Sequence, residues 1–286
     1  MVKVLRTVEE LQRWRAQVRA AGRQVAFVPT MGSLHAGHLE LMRAGRARVP
    51  AERGELVISI FVNPTQFNDA NDLAAYPRDE AGDLALAAAE GVDVAFCPEP
   101  DALYPKGAST WVEVGGLDNH LCGASRPGHF RGVCTVVTKL WQLVAPDYGL
   151  FGRKDYQQLA ILRRMHRDLF LCGEVVGVST VREPDGLALS SRNVRLDPAA
   201  RTQALAIPRF LDEVRARFEA GEREVEALLA GAGERLGAGE VHYVSAVDAD
   251  DLQPVVRVEA PTLVALAVVF SGVRLIDNVL LEPGAS

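Results

Sequence analysis

Residues 24–49, QVAFVPTMGSLHAGHLELMRAGRARV, decide the fold, because a short apolar strand runs through a glycine-containing turn directly into a helix. Residues 25–28 are a continuous apolar run, which is typical of a strand covered on both faces. We expect Pro29 to end this strand, because proline cannot donate a hydrogen bond to a ladder. Apolar residues recur afterwards at helical spacing, so the helix is predicted to begin near residues 35–38.

Two histidines, His35 and His38, lie three residues apart at the predicted start of this helix and therefore share one face of its first turn. Backbone N–H groups at a helix start favour an anion, and two imidazoles would add donors for phosphate oxygens. The alternative is that one histidine caps the helix and the other is an ordinary core or surface residue. The preceding strand and the flanking glycines favour a phosphate site. A zinc pair is less favoured, because a third ligand and the H-E-x-x-H pattern are missing.

The composition indicates a soluble globular protein, since 286 residues with 48% hydrophobic and 24% charged content can form one large or two medium domains. A net charge of -6 gives no general attraction to nucleic acid or to an anionic membrane, so neither is expected as a partner. The N-terminal sequence is too charged for a signal peptide, and no apolar run approaches the length of a membrane span. We therefore expect a cytoplasmic protein. The cysteines lack C-x-x-C spacing and are predicted to be buried thiols in a reducing compartment: Cys97, Cys122, Cys134 and Cys172.

Predicted strands and helices alternate along the first part of the chain, which is the pattern of an α/β protein with a parallel sheet. A capped helix is predicted over residues 8–21, with Thr7 and Glu10 as a capping box. Further strands are predicted at 55–62, 92–98, 147–152 and 174–181, and further helices at 79–90, 132–145 and 156–170. Ligands of an open parallel sheet bind beyond the carboxyl ends of its strands, so we expect the site there.

Polar residues follow two of these strand ends. Asn63 and Gln66 come after the second strand; each could be an ordinary turn residue, although the longer amide of Gln66 can reach a ligand. Lys154 follows Gly152 at the start of the next predicted helix, where the helix dipole slightly disfavours a cation. A bound phosphate would explain the placement of this lysine.

Two further segments carry positive charge. Residues 125–133, SRPGHFRGV, form a compact basic loop that is equally well explained as surface arginines. Residues 183–193, EPDGLALSSRN, form a loop with adjacent serines and Arg192, which suit the grip on a polyphosphate, although serines before a helix are ordinarily caps.

The composition changes after the predicted strand at 174–181, and two helical stretches follow Pro198. Helices are predicted to about residues 221 and 237, followed by strands at 241–247, 262–270 and 273–281, the last two joined by a tight hairpin. We therefore predict a larger domain over residues 1–177 and a smaller α+β domain over residues 178–286.

Several strings, taken in order and spacing, resemble pantothenate synthetases, the pantoate–beta-alanine ligase family, over nearly the whole chain. They are PTMGSLHAGH, FVNPTQF, YPR, GHFRGV, FGRKDYQQL, TVREPDGLALSSRN and YVSAVD. The resemblance implies a Rossmann-like nucleotidyltransferase domain of the HIGH superfamily, a smaller C-terminal domain and a homodimer. It also implies adenylation of pantoate by Mg²⁺-ATP and attack of beta-alanine on the adenylate, giving pantothenate and AMP.

The resemblance also implies roles for individual residues. His38 is the proposed proton donor, and His35, Lys154 and Arg192 are further catalytic groups. Gln66, Gln158 and Asn63 are implied in substrate binding, with Ser190 to Arg192 corresponding to the KMSKS loop. The implied ATP-binding residues are Met31, Gly32, Ser33, Leu34, His35, Ala36, Gly37, His38, Gly152, Arg153, Lys154, Asp155, Val181, Leu189, Ser190, Ser191 and Arg192. Two of these differ from the usual family residue, since many relatives have Glu in place of Arg153 and Met in place of Leu189.

The residue types agree with this chemistry. A carboxylate with a pKa of about 4 is already ionised at neutral pH, so adenylation needs charge neutralisation rather than a base. Two other classes remain open at this point. A cytidylyl- or adenylyltransferase would use the same histidines without releasing AMP, and a nucleotide-sensing module would bind ATP without turnover.

Overall fold

A computed structural model describes residues 2–284, except for the side chains of Ala70 and Asp72. The chain divides into two compact units. The first unit contains the residues up to Gly115, Arg126–Arg153 and Ile161–Ser179; the second contains Gly116–Ser125, Lys154–Ala160 and the residues from Thr180 onward. The domain boundary between residues 177 and 178 stays a prediction.

The strands of the first unit form a six-stranded sheet, in which every pair is parallel and the order is β1-β4-β3-β2-β5-β6. The strands are β1 (Lys3–Leu5), β2 (Gln24–Thr30), β3 (Gly54–Ile60), β4 (Val94–Phe96), β5 (Tyr148–Gly152) and β6 (Glu174–Val178). The strand order reverses between β2 and β5, so the carboxyl ends of these strands flank a switch point where ligands bind in such sheets. This sheet confirms the predicted α/β class.

The helices are α1 (Val8–Ala20), α2 (Ala36–Arg48), α3 (Ala70–Ala74), α4 (Glu80–Ala89), α5 (Pro100–Leu103), α6 (Leu121–Ala124), α7 (His129–Val144), α8 (Tyr156–Asp168), α9 (Pro198–Ala204), α10 (Ala206–Glu219), α11 (Val225–Leu229) and α12 (Ala232–Arg235). The capping box of α1 is confirmed, since the Thr7 side chain accepts from the Glu10 N–H and the Glu10 carboxylate accepts from the Thr7 N–H. Within residues 2–284, every helix is too short or too polar to span a bilayer.

The central strand β2 is buried on both faces, as its apolar run predicts: the side chains at residues 25–28 have no exposed area. The prediction that Pro29 ends this strand is wrong, because β2 continues to Thr30 and Pro29 pairs with Ser59 of β3. The carbonyl of Thr30 accepts from the N–H of Phe61 and therefore points toward the β3 side. Backbone polar groups of successive residues in a strand point to opposite sides, so the nitrogen of Pro29 points toward the β5 side. The pairing with β5 has already ended at Phe27, and no donor is needed there.

The second unit contains an antiparallel sheet of β7 (Glu240–Asp248), β8 (Thr262–Phe270) and β9 (Val273–Leu281), in that order. The turn between β8 and β9 has positive φ at Ser271 (46°) and Gly272 (77°), which is the backbone of a tight hairpin. Phe210 and Leu211 of α10 join the apolar side chains of this sheet in one core. The predicted hairpin and the α+β character are confirmed.

Three local predictions need correction. Helix α7 begins at His129 rather than at residue 132, because Gly128 adopts a left-handed conformation (φ 77°) at the N-cap. Strand β6 ends at Val178, three residues before its predicted end. Cys97 and Cys134 are buried thiols as expected, but Cys122 is half-buried and Cys172 is exposed.

Candidate active site

The turn that follows β2 is held by hydrogen bonds from inside the first unit. The Thr30 hydroxyl donates to the carbonyl of Ser59 (2.7 Å) and accepts from the N–H of Gly32 (3.2 Å). Asp83 of α4 is 4% exposed, and its two carboxylate oxygens accept from the N–H groups of Ser33 (2.9 Å) and Leu34 (2.7 Å). A buried carboxylate therefore sets the path of the backbone into α2.

Gly32 is required where the turn approaches this carboxylate. Its φ is +79°, and a Cβ at this position would lie 2.8 Å from Oδ2 of Asp83. Asp83 itself was not predicted as part of the site. The only signal in the sequence is a carboxylate on the same helical face as the buried Ala87.

The two histidines lie at the start of α2, and both take part in capping it. The N–H of Gly37 donates to Nδ1 of His35 (3.1 Å), and the N–H of His35 donates to Nδ1 of His38 (3.3 Å). A neutral imidazole that accepts at Nδ1 carries its proton on Nε2. The rings are stacked obliquely with centroids 4.1 Å apart. The capping arrangement thus selects the tautomer in which each histidine is a donor through Nε2, so capping and phosphate binding are compatible roles.

Asn63 is the central residue of the turn after β3. The residue is 1% exposed, and its side-chain amide forms hydrogen bonds only with other groups of the protein. Its Nδ2 donates to Oε1 of Gln66 (2.9 Å) and to the carbonyl of Gly132 (3.1 Å). Its Oδ1 accepts from the hydroxyls of Thr65 (2.9 Å) and Tyr104 (2.9 Å). These contacts give Asn63 a positioning role for Gln66.

Burial raises the pKa of the Tyr104 phenol, although its hydrogen bond with Thr65 acts in the opposite sense. The phenol therefore keeps its proton at neutral pH and remains a donor to Asn63. The ammonium of Lys139 lies 4.0 Å from the centre of the Tyr104 ring, and burial lowers the pKa of this lysine. Sequence patterns alone did not indicate either residue.

Gln66 is placed beside the histidine turn. Its Nε2 lies 3.0 Å from Sδ of Met31, and its backbone carbonyl accepts from Nδ1 of His129 (2.8 Å). Nε2 of His129 then accepts from the guanidinium of Arg126 (3.1 Å). The basic segment around residues 125–133 is therefore connected to the backbone of a predicted substrate residue.

The close approach of α7 to this turn depends on Gly132. A Cβ at this position would lie 2.4 Å from the carbonyl oxygen of Thr65 and 2.8 Å from the backbone nitrogen of Gln66. The segment contains a second arginine, Arg131. Its guanidinium lies over the ring of Trp111, 5.0 Å from the ring centroid.

The predicted site residues fall in both units. The first unit holds Met31–His38, Asn63, Gln66, Gly152 and Arg153, the last of which is exposed; the second unit holds Lys154, Asp155, Gln158, Val181 and Leu189–Arg192. Within the first unit, these residues lie at or just beyond the carboxyl ends of β2, β3 and β5.

In the second unit, one small cavity is lined by Lys154, Ser190 and Arg192, three of the predicted ATP-binding residues. Arg274 and Asp277 of β9 line the same cavity. Cations therefore dominate its charged lining, as a site for an anionic group requires.

The loop that carries Ser190 and Arg192 starts from a narrow hairpin, in which the N–H of Leu189 donates to the carbonyl of Val181 (2.9 Å). Asn193 at the far end of the loop donates through Nδ2 to the Glu183 carboxylate (2.5 Å) and to the carbonyl of Ala188 (3.1 Å). Arg201 of α9 bridges Glu183 and Asp185. The loop is thus closed on itself by hydrogen bonds and ion pairs.

Gln157, which precedes Gln158, has a structural role. Gln157 is 6% exposed. Its Oε1 accepts from the N–H of Cys122 (2.9 Å), and its Nε2 donates to the carbonyls of Leu117 (2.9 Å) and His120 (2.8 Å). Gln157 therefore fixes the segment 117–123. Gln158 is half-buried and keeps its predicted substrate role as a proposal.

The parallel sheet with a histidine-containing turn beyond β2, together with a cation-lined cavity beside a serine-containing loop, defines a nucleotide-binding α/β protein of the nucleotidyltransferase type. The sequence model of the family described as pantoate-beta-alanine ligase matches residues 3–280. The chain belongs to this family.

Relatives and solved structures agree with this assignment. The chain is 52% identical over 281 residues to the pantothenate synthetase of Solidesulfovibrio magneticus, covering 97% of each chain. It resembles the crystal structure of pantothenate synthetase from Thermus thermophilus with a TM-score of 0.90 and 43% identity, covering 99% of this chain and 100% of that one. It also resembles pantoate-beta-alanine ligase from Francisella tularensis, complexed with beta-gamma ATP and beta-alanine, with a TM-score of 0.78, 32% identity and 98% coverage of both chains.

Proposed function

We propose that this chain condenses pantoate with beta-alanine, using ATP and passing through a pantoyl-adenylate. The observation that carries the proposal is the family match over residues 3–280. The Francisella tularensis relative, whose structure contains an ATP compound and beta-alanine, supports the same two substrates here.

In the first step, a carboxylate oxygen of pantoate attacks the α-phosphorus of ATP. A new P–O bond forms to the carboxylate, the bond to the bridging oxygen breaks, and pyrophosphate leaves. Negative charge grows on the phosphate oxygens, so donors aimed at these oxygens lower the barrier. The Nε2–H groups of His35 and His38 would provide neutral donors, and Lys154 and Arg192 would provide positive charge.

The substrate amides serve a different purpose. Gln66 and Gln158 are neutral, so they would bind the hydroxyls and carboxylate of pantoate without competing with its ionisation. Gln66 is suited to this because Asn63 and Met31 orient its side chain from two sides. Preorganised side chains of this kind reduce the entropy that substrate positioning requires.

In the second step, the neutral amine of beta-alanine attacks the acyl carbon of the adenylate. The C–N bond forms, the C–O bond to the phosphate breaks, and AMP and a proton are released. Because an acyl-adenylate also reacts with water, we propose that the loop at residues 188–193 closes over it during the reaction.

Magnesium enters as part of the Mg²⁺-ATP substrate in this proposal. Among the residues that the structure describes, no group of three or more His, Cys, Asp or Glu side chains is arranged to hold a metal ion. Magnesium that is bound mainly by substrate phosphates and water does not need such a group.

The remaining assignments are part of the same proposal. The chain would act as a cytoplasmic homodimer without nucleic acid or membrane partners, and its functional division would fall between residues 1–177 and 178–286. Cations near the phosphates would come from local residues, since the chain as a whole carries a net charge of -6.

AMP release, measured with ATP, pantoate and beta-alanine and with each omitted in turn, tests the function directly. We expect AMP only with all three substrates, and pantoate-dependent exchange of labelled pyrophosphate into ATP without beta-alanine. Transfer of the nucleotide into a stable product without AMP would identify a nucleotidyltransferase instead. ATP binding without turnover would identify a sensing module.

A further inference from the structure

Strand β9 carries two adjacent side chains that bind two different segments of the second unit. The Asp277 side chain is 1% exposed, and its oxygens accept from both guanidinium nitrogens of Arg182, at 2.7 and 3.1 Å. Arg182 also donates to the carbonyl of Gly186 (3.0 Å). The carboxylate therefore holds the hairpin that leads into the loop with Ser190 and Arg192.

The neighbouring residue, Asn278, acts on a different part of the chain. Its Nδ2 donates to the backbone carbonyl of Lys154 (2.9 Å). Its own N–H donates to Oδ1 of Asp277 (2.8 Å), so the two side chains share one hydrogen-bonded arrangement. Two adjacent residues of β9 therefore hold both the Lys154 backbone and the 182–186 hairpin in place.

This arrangement matters because the two segments meet at one cavity. Lys154, Ser190 and Arg192 all line it, although the lysine is far from the other two in sequence. A buried ion pair usually adds little net stability over apolar packing, whereas a bidentate pair restricts an arginine to one geometry. The Arg182–Asp277 pair is therefore better suited to orientation than to stabilisation.

We propose that Asp277 and Asn278 are positioning residues for the nucleotide phosphates: they set the spacing between Lys154 and the loop with Ser190 and Arg192. The proposal rests on the ATP-binding role assigned above to these three residues. A displacement of about 1 Å at such a site can lower a rate by roughly 10²-fold, so the loss of either hydrogen-bonding side chain affects ATP selectively.

The experiment uses Asn278→Asp, which keeps the size of the side chain but places an acceptor against the Lys154 carbonyl, and Asp277→Asn, which weakens the bidentate pair. Pantoate-dependent pyrophosphate exchange gives the KM for ATP and for pantoate, and the complete reaction gives the KM for beta-alanine. We expect the KM for ATP to rise about tenfold or more, while the KM of beta-alanine changes by less than about twofold. Glu224→Gln is the matched control, because it removes one charge from an exposed ion pair with Arg257 in the same unit.

A selective rise in the KM for ATP supports the proposal, while an unchanged KM, or an equal rise for all three substrates, overturns it. If Asp277→Asn does not fold, Asn278→Asp decides the outcome, because Asn278 is only half-buried. Calorimetric titration with a non-hydrolysable ATP analogue keeps the two hypotheses separate. A wild-type chain without pantoate-dependent exchange would refute the proposed function, and weakened analogue binding in Asn278→Asp would still support the role of β9.

Discussion

The turn at residues 31–38 and the loop at residues 183–193 are both proposed to bind ATP, but they are held in different ways. The turn is fixed by a buried carboxylate and a threonine hydroxyl that bind its backbone from within the first unit. The loop is closed by Arg201 and Asn193, whose partner Glu183 keeps 27% of its side chain exposed.

This difference indicates a division of work. A backbone bound by a buried carboxylate cannot move without leaving unpaired polar groups in the interior, so the turn is a fixed part of the site. Partly exposed ion pairs contribute little stability and exchange readily with water, so residues 188–193 have a lower barrier to opening than the 182–186 hairpin, which the buried Asp277 carboxylate holds through Arg182. We infer that the turn provides a preformed donor pair, whereas the loop provides the movable cover of the adenylate.

The largest expected effect tests the role that is proposed for both regions, which is to stabilise the phosphate charge during adenylation. His38→Ala in the turn and Lys154→Ala beside the loop are each expected to lower pyrophosphate exchange by roughly 10²-fold or more, a size typical of the loss of one transition-state donor. Lys154→Ala should keep the wild-type unfolding midpoint, whereas His38→Ala should lower the free energy of unfolding by about 1 kcal/mol, because it also removes one helix cap. His166→Ala and the exposed Lys106→Ala serve as controls. Exchange near the wild-type rate in either site variant would remove that residue from catalysis.

The second prediction tests the rigidity of the turn. In Asp83→Asn, the amide nitrogen replaces one acceptor, so the N–H of Ser33 or of Leu34 loses its partner. We expect the free energy of unfolding to fall by about 1–3 kcal/mol and the exchange rate to fall about tenfold. Urea unfolding and pyrophosphate exchange measure the two effects.

Asp79→Asn is the matched control for this change, because Asp79 caps α4 through Gly82 without contacting the turn. A full exchange rate in Asp83→Asn would contradict the assignment of the turn as a preformed element. Loss of exchange in both variants would instead point to α4 as a whole.

The contrast between the two regions also explains what could be predicted from the sequence. The histidine turn was predictable because its strand, glycines and helix are adjacent in sequence, and each has a local signature. The antiparallel hairpin was predictable for the same reason. The prediction at Pro29 was wrong, because a proline without an N–H donor weakens a strand only where a neighbouring strand still pairs on the side of its nitrogen. The pairing of β2 with β5 ends at Phe27, before Pro29.

The residues that support the site could not be predicted. Asp83, Asp277 and Asn278 are polar residues in elements that also carry core apolar side chains, and their partners are remote in sequence. The structural role of such a polar residue is set by its tertiary contact, and no local sequence pattern indicates that contact. The family resemblance implied a set of ligand-binding residues but said nothing about these supporting residues.

The third prediction extends the comparison to the turn that carries Gln66. Gly132→Ala would bring a methyl group within 2.4 Å of the Thr65 carbonyl, so α7 or the turn must move. We expect a loss of about 1–3 kcal/mol in the free energy of unfolding, despite the better helix propensity of alanine. The KM for pantoate should rise severalfold. Gly233→Ala in α12, where a Cβ meets no atom within 4 Å, is the control; it should leave the KM for pantoate unchanged and raise the free energy of unfolding by up to about 1 kcal/mol through helix propensity alone.

The smallest expected effect concerns the ion pairs of the loop. The hydrogen bond from Arg201 holds the pKa of Glu183 below its ordinary value of 4.5, and burial opposes this shift. A lowered folded-state pKa stabilises the protein above the ordinary pKa, and this stabilisation is lost as the pH falls through the folded value. Glu183→Gln should therefore lower the free energy of unfolding at pH 7 by about 1 kcal/mol or less, and the difference from wild type should shrink below about pH 4. Urea unfolding at pH 7 and at about pH 3, with the exposed Glu219→Gln as control, measures the two differences in the free energy of unfolding. A loss at pH 7 as large as that of Asp83→Asn would show that the loop is as firmly held as the turn, and the proposed division between a fixed turn and a movable loop would fail.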